Sequence, residues 1–252
     1  MAPPAVAFEA VTFGYAEGEP VLRNLSFHLP AGKVLGLLGR TGSGKTTITR
    51  LLYRLYDPTS GLIRLGNNGA APDIRDVPLA ALRGRIGMVT QEIQLFQATV
   101  RDNLTFFDAT IPDEQILAVI DTLGLGDWLA RLPNGLDTEL QSEGSSLSAG
   151  EAQLLAFTRV FLQAPDLVIL DEASSRLDPA TERLIERAID KLLHNRTAII
   201  IAHRLATVQR ADQLLILEDG QIQEQGDRQQ LASDPSSRFY ALLQTGLAEV
   251  LA

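Results

Sequence analysis

The sequence predicts an α/β fold: a mainly parallel sheet preceded by an antiparallel β subdomain and interrupted by an inserted helical subdomain. Three observations carry this. The run Lys33 to Leu38 is apolar on both faces, as a strand inside a parallel sheet is, and Leu167 to Leu170 and Ala198 to Ala202 have the length of buried strands. Helical patterns alternate with these runs at the spacing of βα units. From about Thr99 to Phe161 the pattern is predominantly helical, broken at Pro112, Gly124 and Asn134-Gly135, before strand-like runs resume at Asp166.

Taken in order, Val6 to Tyr15 and Leu22 to Leu29 alternate apolar and polar residues around a Gly18-Glu19-Pro20 turn, which predicts an antiparallel hairpin. Lys33 to Leu38 then leads into a glycine-rich loop. Thr46 to Tyr56 has helical spacing and stops at Asp57-Pro58, where proline cannot continue a helix. Gly61 to Leu65 reads as a strand, Asn67 to Pro78 as a polar loop, and Arg85 to Val89 as a strand ending at Gln91. After the helical block come strand Leu167 to Leu170, helix Ala180 to Leu193, strand Thr197 to Ala202, helix Leu205 to Gln209 and strand Gln213 to Leu217. One domain over 1–252, with the helical subdomain at about 99–161, accounts for this order.

The 252 residues carry 22 basic and 31 acidic side chains, a net charge of −9, with no dense Lys/Arg run, so nucleic acid is not an expected partner. The absence of cysteine excludes disulfides and thiolate chemistry and suits a reducing compartment. No apolar run approaches the roughly 18 residues that cross a bilayer, and Met1 to Ala7 lacks the features of a secretory signal. Any membrane span must come from another segment.

Gly39-Arg40-Thr41-Gly42-Ser43-Gly44-Lys45-Thr46 follows a predicted strand and opens a predicted helix, the context in which Gly-x-x-x-x-Gly-Lys-Thr binds phosphate. Glycines allow positive φ and turn backbone N–H groups toward phosphate oxygens. Lys45 then reaches the β- and γ-phosphates, Thr46 offers its hydroxyl to Mg²⁺, and the helix adds its positive dipole end. The alternative is a glycine-rich turn with no ligand. Downstream, Asp171 and Glu172 end a buried apolar strand at its carboxyl end, where open α/β sheets bind ligands. Asp171 suits a water-mediated Mg²⁺ contact and Glu172 suits a base for an attacking water; two solvated acids are the alternative.

Leu147-Ser148-Ala149-Gly150-Glu151-Ala152-Gln153 resembles the signature sequence of the ABC ATPase family, usually Leu-Ser-Gly-Gly-Gln. The resemblance implies a phosphate-loop ATPase core that binds ATP with Mg²⁺ on Gly39, Arg40, Thr41, Gly42, Ser43, Gly44, Lys45, Thr46 and Thr47. It also implies that Ser148, Gly150 and Glu151 clamp, in trans, the γ-phosphate held by an opposite subunit. Read physically, Ser148 with Glu151 three residues on is also a capping box, and both readings can hold together. Other positions fall in the family's order. Tyr15 resembles the aromatic that stacks on adenine, Gln91 the glutamine that touches Mg²⁺, Ser175-Arg176-Leu177-Asp178 the loop that crosses the dimer interface, and His203 the histidine on the γ-phosphate.

Val89 to Leu104 and Ala202 to Val208, followed by Asp219-Gly220 and Glu224-Gln225-Gly226, look specifically like exporter-type domains. The resemblance thus implies ATP hydrolysis that powers export through ATP-dependent pairing of two nucleotide-binding domains, homo- or heterodimeric, under the transmembrane domain of an exporter at the cytoplasmic face of the cell membrane. A soluble ABC ATPase with a mechanical, non-transport role is the alternative. There are departures: Ala149, Glu151 and Ala152 differ from the usual signature, and Leu140-Gln141-Ser142-Glu143-Gly144 carries serine where exporters have glutamate. They suggest a hetero-oligomer in which this chain supplies an intact phosphate loop and a weaker signature.

Overall fold

The computed structural model describes residues 2–16, 18–66, 71–90, 93–140, 147–171, 178–202 and 205–245, with the side chains of 205, 206 and 245 excepted. It divides into two compact units.

The first unit, Met1–Met88, Asp166–Glu172 and Asn195–Ala252, holds both sheets. Strands β1 (Ala5–Phe13), β2 (Leu22–Leu29) and β4 (Ser60–Gly66) form an antiparallel sheet in the order β2-β1-β4. The expected hairpin is present, and β4, read from sequence only as a further strand, pairs on its other side. The alternating pattern of β2 buries Leu22, Leu25, Phe27 and Leu29 and leaves the other face to solvent. Bulges in β1 shift its register against both neighbours.

The main sheet runs β5-β6-β7-β3-β8-β9, from β3 (Val34–Leu38), β5 (Ile86–Val89), β6 (Leu167–Asp171), β7 (Thr197–Ile201), β8 (Gln213–Glu218) and β9 (Gln221–Asp227). Every residue of β3 and β7 is buried, which fits their unbroken apolar sequence. β6, β7, β3 and β8 are parallel, and β9 pairs antiparallel to β8 at the edge. That edge strand escapes the sequence reading because its residues, Gln221 to Asp227, are mostly polar and exposed. One apolar core joins the inner face of the antiparallel sheet, helix α1 (Lys45–Leu52) and the main sheet, through residues such as Phe8, Leu29, Ile48, Leu37 and Ile201.

α1 stops four residues before the expected Tyr56. Arg54 adopts left-handed φ of 53° and sends its guanidinium to the carbonyls of Ile74 and Val77 and to Asp57, so side-chain hydrogen bonds override the helical pattern. The stretch read as a polar loop contains a 3-10 turn, Ile74–Asp76, capped by Asp73, and α2 (Leu79–Gly84) follows it.

The second unit, Val89–Pro165 and Ala173–His194, contains α3 (Val100–Thr105), α4 (Asp113–Thr122), α5 (Gly126–Ala130), α6 (Ala149–Gln163) and α7 (Pro179–Leu193). The chain leaves the sheet after β5, returns for β6, leaves again through α7, and returns for β7. Within this unit Arg159 of α6 is buried and donates to the carbonyls of Asn103 and Gln94 and to Asn103 Oδ1, while Asn103 also bonds the backbone of Phe96. Burial lowers the Arg159 pKa from its ordinary value. The remaining helices, α8 (Leu205–Val208), α9 (Arg228–Ser233) and α10 (Arg238–Thr245), belong to the first unit.

Candidate functional site

Parallel register aligns the strand ends from which a site can be built. Leu37 of β3 stands opposite Ile201 of β7, and Ile201 stands opposite Asp171 of β6. At about 4.8 Å per strand, the Asp171 backbone lies roughly 10 Å across the sheet from the strand that enters the phosphate loop. Glu172 and His203, directly beyond these ends, lie outside the described residues, as do Gln91 and Ser175-Arg176-Leu177.

The phosphate loop has the expected backbone. Gly39, Gly42 and Gly44 have φ of 143°, 83° and 107°, and Gly44 caps α1 without any side chain. A Cβ on Gly39 would stand 2.3 Å from the Leu217 carbonyl oxygen, whereas one on Gly42 would meet nothing within 4 Å, so the loop is braced at its entry and open at its middle. Lys45 is 6% exposed, and its Nζ donates to the carbonyls of Gly39 at 2.5 Å and Arg40 at 2.9 Å. Burial lowers its pKa, and the negative charge of Asp171 partly offsets this. A buried ammonium held by neutral carbonyls is matched to an arriving anion.

A phosphate oxygen fits this cradle on a second count. Among the described residues, Ser43 Oγ is a buried side-chain oxygen with no hydrogen-bond partner. Such atoms are rare because each costs desolvation free energy, and a phosphate oxygen would satisfy it.

Two contacts hold the loop from outside. Gly220 N donates to the Ser43 carbonyl at 3.2 Å, and the Gly220 carbonyl accepts from Arg23 N at 2.9 Å. Gly220 occupies the two-residue turn between β8 and β9 with Asp219, φ 74° and 49°, the arrangement an Asp-Gly hairpin favours. A Cβ there would sit 2.0 Å from the Val21 carbonyl. Gly220→Ala is expected to destabilise the fold by about 2 kcal/mol or more, read as a lower midpoint in urea, because both the left-handed φ and the contact penalise a side chain.

Tyr15 follows β1 and is 44% exposed. Its ring meets Phe13 and Tyr56 edge-on, centroids 5.0 and 5.1 Å away, so it packs within an aromatic cluster while part of it stays exposed. Its hydroxyl lies 3.1 Å from Thr47 Oγ1 and accepts from Arg50 Nη1 at 3.1 Å. Arg50 was not singled out by sequence, since a basic residue in an exposed helical position carries no motif. Beside the loop a cavity of about 520 Å³ is lined by residues 39–43, the end of β8 and α10; it shares the first part of the loop, while Tyr15, Lys45, Thr46, Thr47 and Asp171 do not line it.

In the helical unit, Ser148 caps α6. Its Oγ accepts from Glu151 N at 3.2 Å while Ser148 N donates to Glu151 Oε2 at 2.8 Å, the reciprocal pair read from sequence. Glu151 also lies 3.7 Å from Arg131. Its carboxylate is thus engaged within its own chain. Asp178 caps α7, accepting from the N–H groups of Ala180 and Thr181.

Strand, glycine loop and helix, with a carboxylate at the end of a parallel strand two places along the sheet, define a phosphate-loop α/β protein. Residues 22–175 match the family model described as ABC transporter. The chain belongs to the ABC transporter family. It is 40% identical over 245 residues to the mitochondrial iron-sulfur clusters transporter ABCB7 of Homo sapiens, covering 97% of this chain and 32% of that protein. It is 42% identical over 224 residues to the ATP-dependent lipid A-core flippase of Photorhabdus laumondii, covering 88% of this chain and 38% of the flippase. Among solved structures it is similar to a bacterial Atm1-family ABC exporter with ATP bound, with a TM-score of 0.82 and 35% identity, covering 98% of this chain and 41% of the exporter. The chain therefore spans about a third of the length of the curated relatives it matches.

Proposed function

We propose that this chain binds and hydrolyses ATP to power export across a membrane, working in pairs beneath the transmembrane domain of an exporter, at the cytoplasmic face. The observation that carries the reading is the buried Lys45 ammonium beside the unsatisfied Ser43 hydroxyl, in a loop whose backbone is already in phosphate-binding form. The similarity to exporters named for ATP-dependent transport supports the coupling.

In this reading Lys45, Ser43 and the backbone of 39–46 hold the β- and γ-phosphates, Thr47 adds a hydroxyl, and Tyr15 meets the adenine. Thr46, Asp171 and Gln91 hold Mg²⁺, which neutralises charge on the phosphates when bound. Glu172 takes the proton of the attacking water and His203 contacts the γ-phosphate. Ser148, Gly150 and Glu151 complete the site of a second domain, homo- or heteromeric. The Glu151 carboxylate, tied up by Ser148 N and Arg131, need not repel that phosphate as a free acid would.

The test is phosphate release from ATP at increasing protein concentration. The expected result is Mg²⁺-dependent hydrolysis, lost in excess chelator, whose specific rate rises with concentration as domains pair. Hydrolysis that ignores concentration would remove pairing from the account, and a rise seen only after adding a different ABC domain would favour the heteromeric form.

A further inference from the structure

The contact between Tyr15, Thr47 and Arg50 has a direction that its distances alone do not show. A guanidinium has five N–H donors and no acceptor, and it stays protonated. Arg50 Nη1 therefore donates to the Tyr15 oxygen. The phenol has one proton of its own, and among the described residues the acceptor within hydrogen-bond reach of it is Thr47 Oγ1 at 3.1 Å. Sending the Tyr15 proton to Thr47 keeps it within the protein, whereas the reverse leaves it to solvent, which Tyr15 reaches at 44% exposure. Thr47 then accepts from Tyr15, and its own hydroxyl proton has no described partner.

Thr47 is the third residue of α1 and is 5% exposed, so the proton left over stands at the helix start beside the phosphate loop. The ring geometry holds the relay in place: the Arg50 Cζ is 5.8 Å from the Tyr15 centroid, and Phe13 and Tyr56 pack edge-on against the same ring.

We propose that Arg50 is a positioning residue for nucleotide: through the Tyr15 hydroxyl it orders the Thr47 hydroxyl so that Thr47 donates to a phosphate oxygen. This rests on the ATP-binding reading above. It gives Tyr15 a second task through its hydroxyl, apart from any stacking by its ring, and it assigns Arg50 a role through Tyr15, without direct contact with the ligand.

The test is a double-mutant cycle on the 252-residue chain, with Mg-ATP titrated calorimetrically into the unsubstituted protein, Tyr15→Phe, Arg50→Met, Thr47→Val, and each of the first two combined with Thr47→Val. Tyr15→Phe keeps the ring and removes the relay. Both Tyr15→Phe and Arg50→Met are expected to weaken Mg-ATP by about threefold to tenfold, the size of one ordinary hydrogen bond, and to have no further effect once Thr47 is Val. Arg50→Lys, also a donor without acceptor, should recover part of the loss. In hydrolysis Arg50→Met should raise KM and leave kcat unchanged, and its thermal midpoint should match that of the unsubstituted chain, which a folding defect would not allow.

If Tyr15→Phe binds as tightly as the unsubstituted chain, Tyr15 acts by its ring alone and the relay is wrong. If Arg50→Met costs the same factor with and without the Thr47 hydroxyl, Arg50 attracts nucleotide directly and the relay is equally wrong. Failure of the unsubstituted chain to bind Mg-ATP is a separate outcome, which removes the ATP-binding reading and the relay with it.

Discussion

Replacing Glu172 by Gln is expected to lower ATP turnover by at least about a hundredfold while Mg-ATP binding is retained, because a positioned general base contributes roughly 10²–10⁴ to such a step. The expectation follows from place and chemistry together. Asp171 ends a buried strand in register with the strands whose sequences lead to the phosphate loop and to His203, the strand ends at which ligands of α/β sheets bind, and Glu172 is the next residue in sequence. Glutamine keeps the size and one acceptor but cannot take the proton. Phosphate release measured beside nucleotide binding separates the two functions, and a variant that hydrolyses at the unsubstituted rate would strip Glu172 of the role.

Lys45→Met should act on the binding step instead, weakening Mg-ATP. The amine is the buried cation of the loop, and a charge-assisted contact to phosphate is worth about 1.5–3 kcal/mol, or roughly ten- to a hundredfold in affinity, before the loss of its help in turnover. Folding should not suffer. The Lys45 pKa in the folded chain lies below its ordinary value, mainly through burial. The folded state therefore holds that proton less tightly than the unfolded chain, so a charged Lys45 costs stability at neutral pH, and the cost is relieved only as pH climbs through the lowered folded value toward the ordinary one. Methionine of similar length removes that cost. The thermal midpoint of Lys45→Met without nucleotide is expected to equal or exceed that of the unsubstituted chain.

Much of this was legible in the sequence because it depends on local chemistry. The phosphate loop, the capping box at Ser148 and Glu151, and the fully buried β3 and β7 follow from glycine conformation, side-chain reach and unbroken apolar runs. What escaped depends on contacts between distant segments. The early end of α1 is set by Arg54 reaching carbonyls about twenty residues on, which no periodicity registers. β9 is polar because it is an edge strand, and its one local sign, the Asp219-Gly220 turn, reads as a hairpin only once β8 is in place. Arg50 and Gly220 join the site through Tyr15 and Ser43, neither of them near in sequence.

The proposed function stands or falls with Gly39 to Thr46 as a nucleotide cradle closed by the Lys45 ammonium. Calorimetric titration of Mg-ATP into the unsubstituted chain and into Lys45→Met, with matched thermal midpoints as the control for folding, tests it most directly. Saturable binding by the first and a loss of at least about tenfold in the second is the predicted result. Equal affinity in the two proteins, or no binding by either, would contradict it.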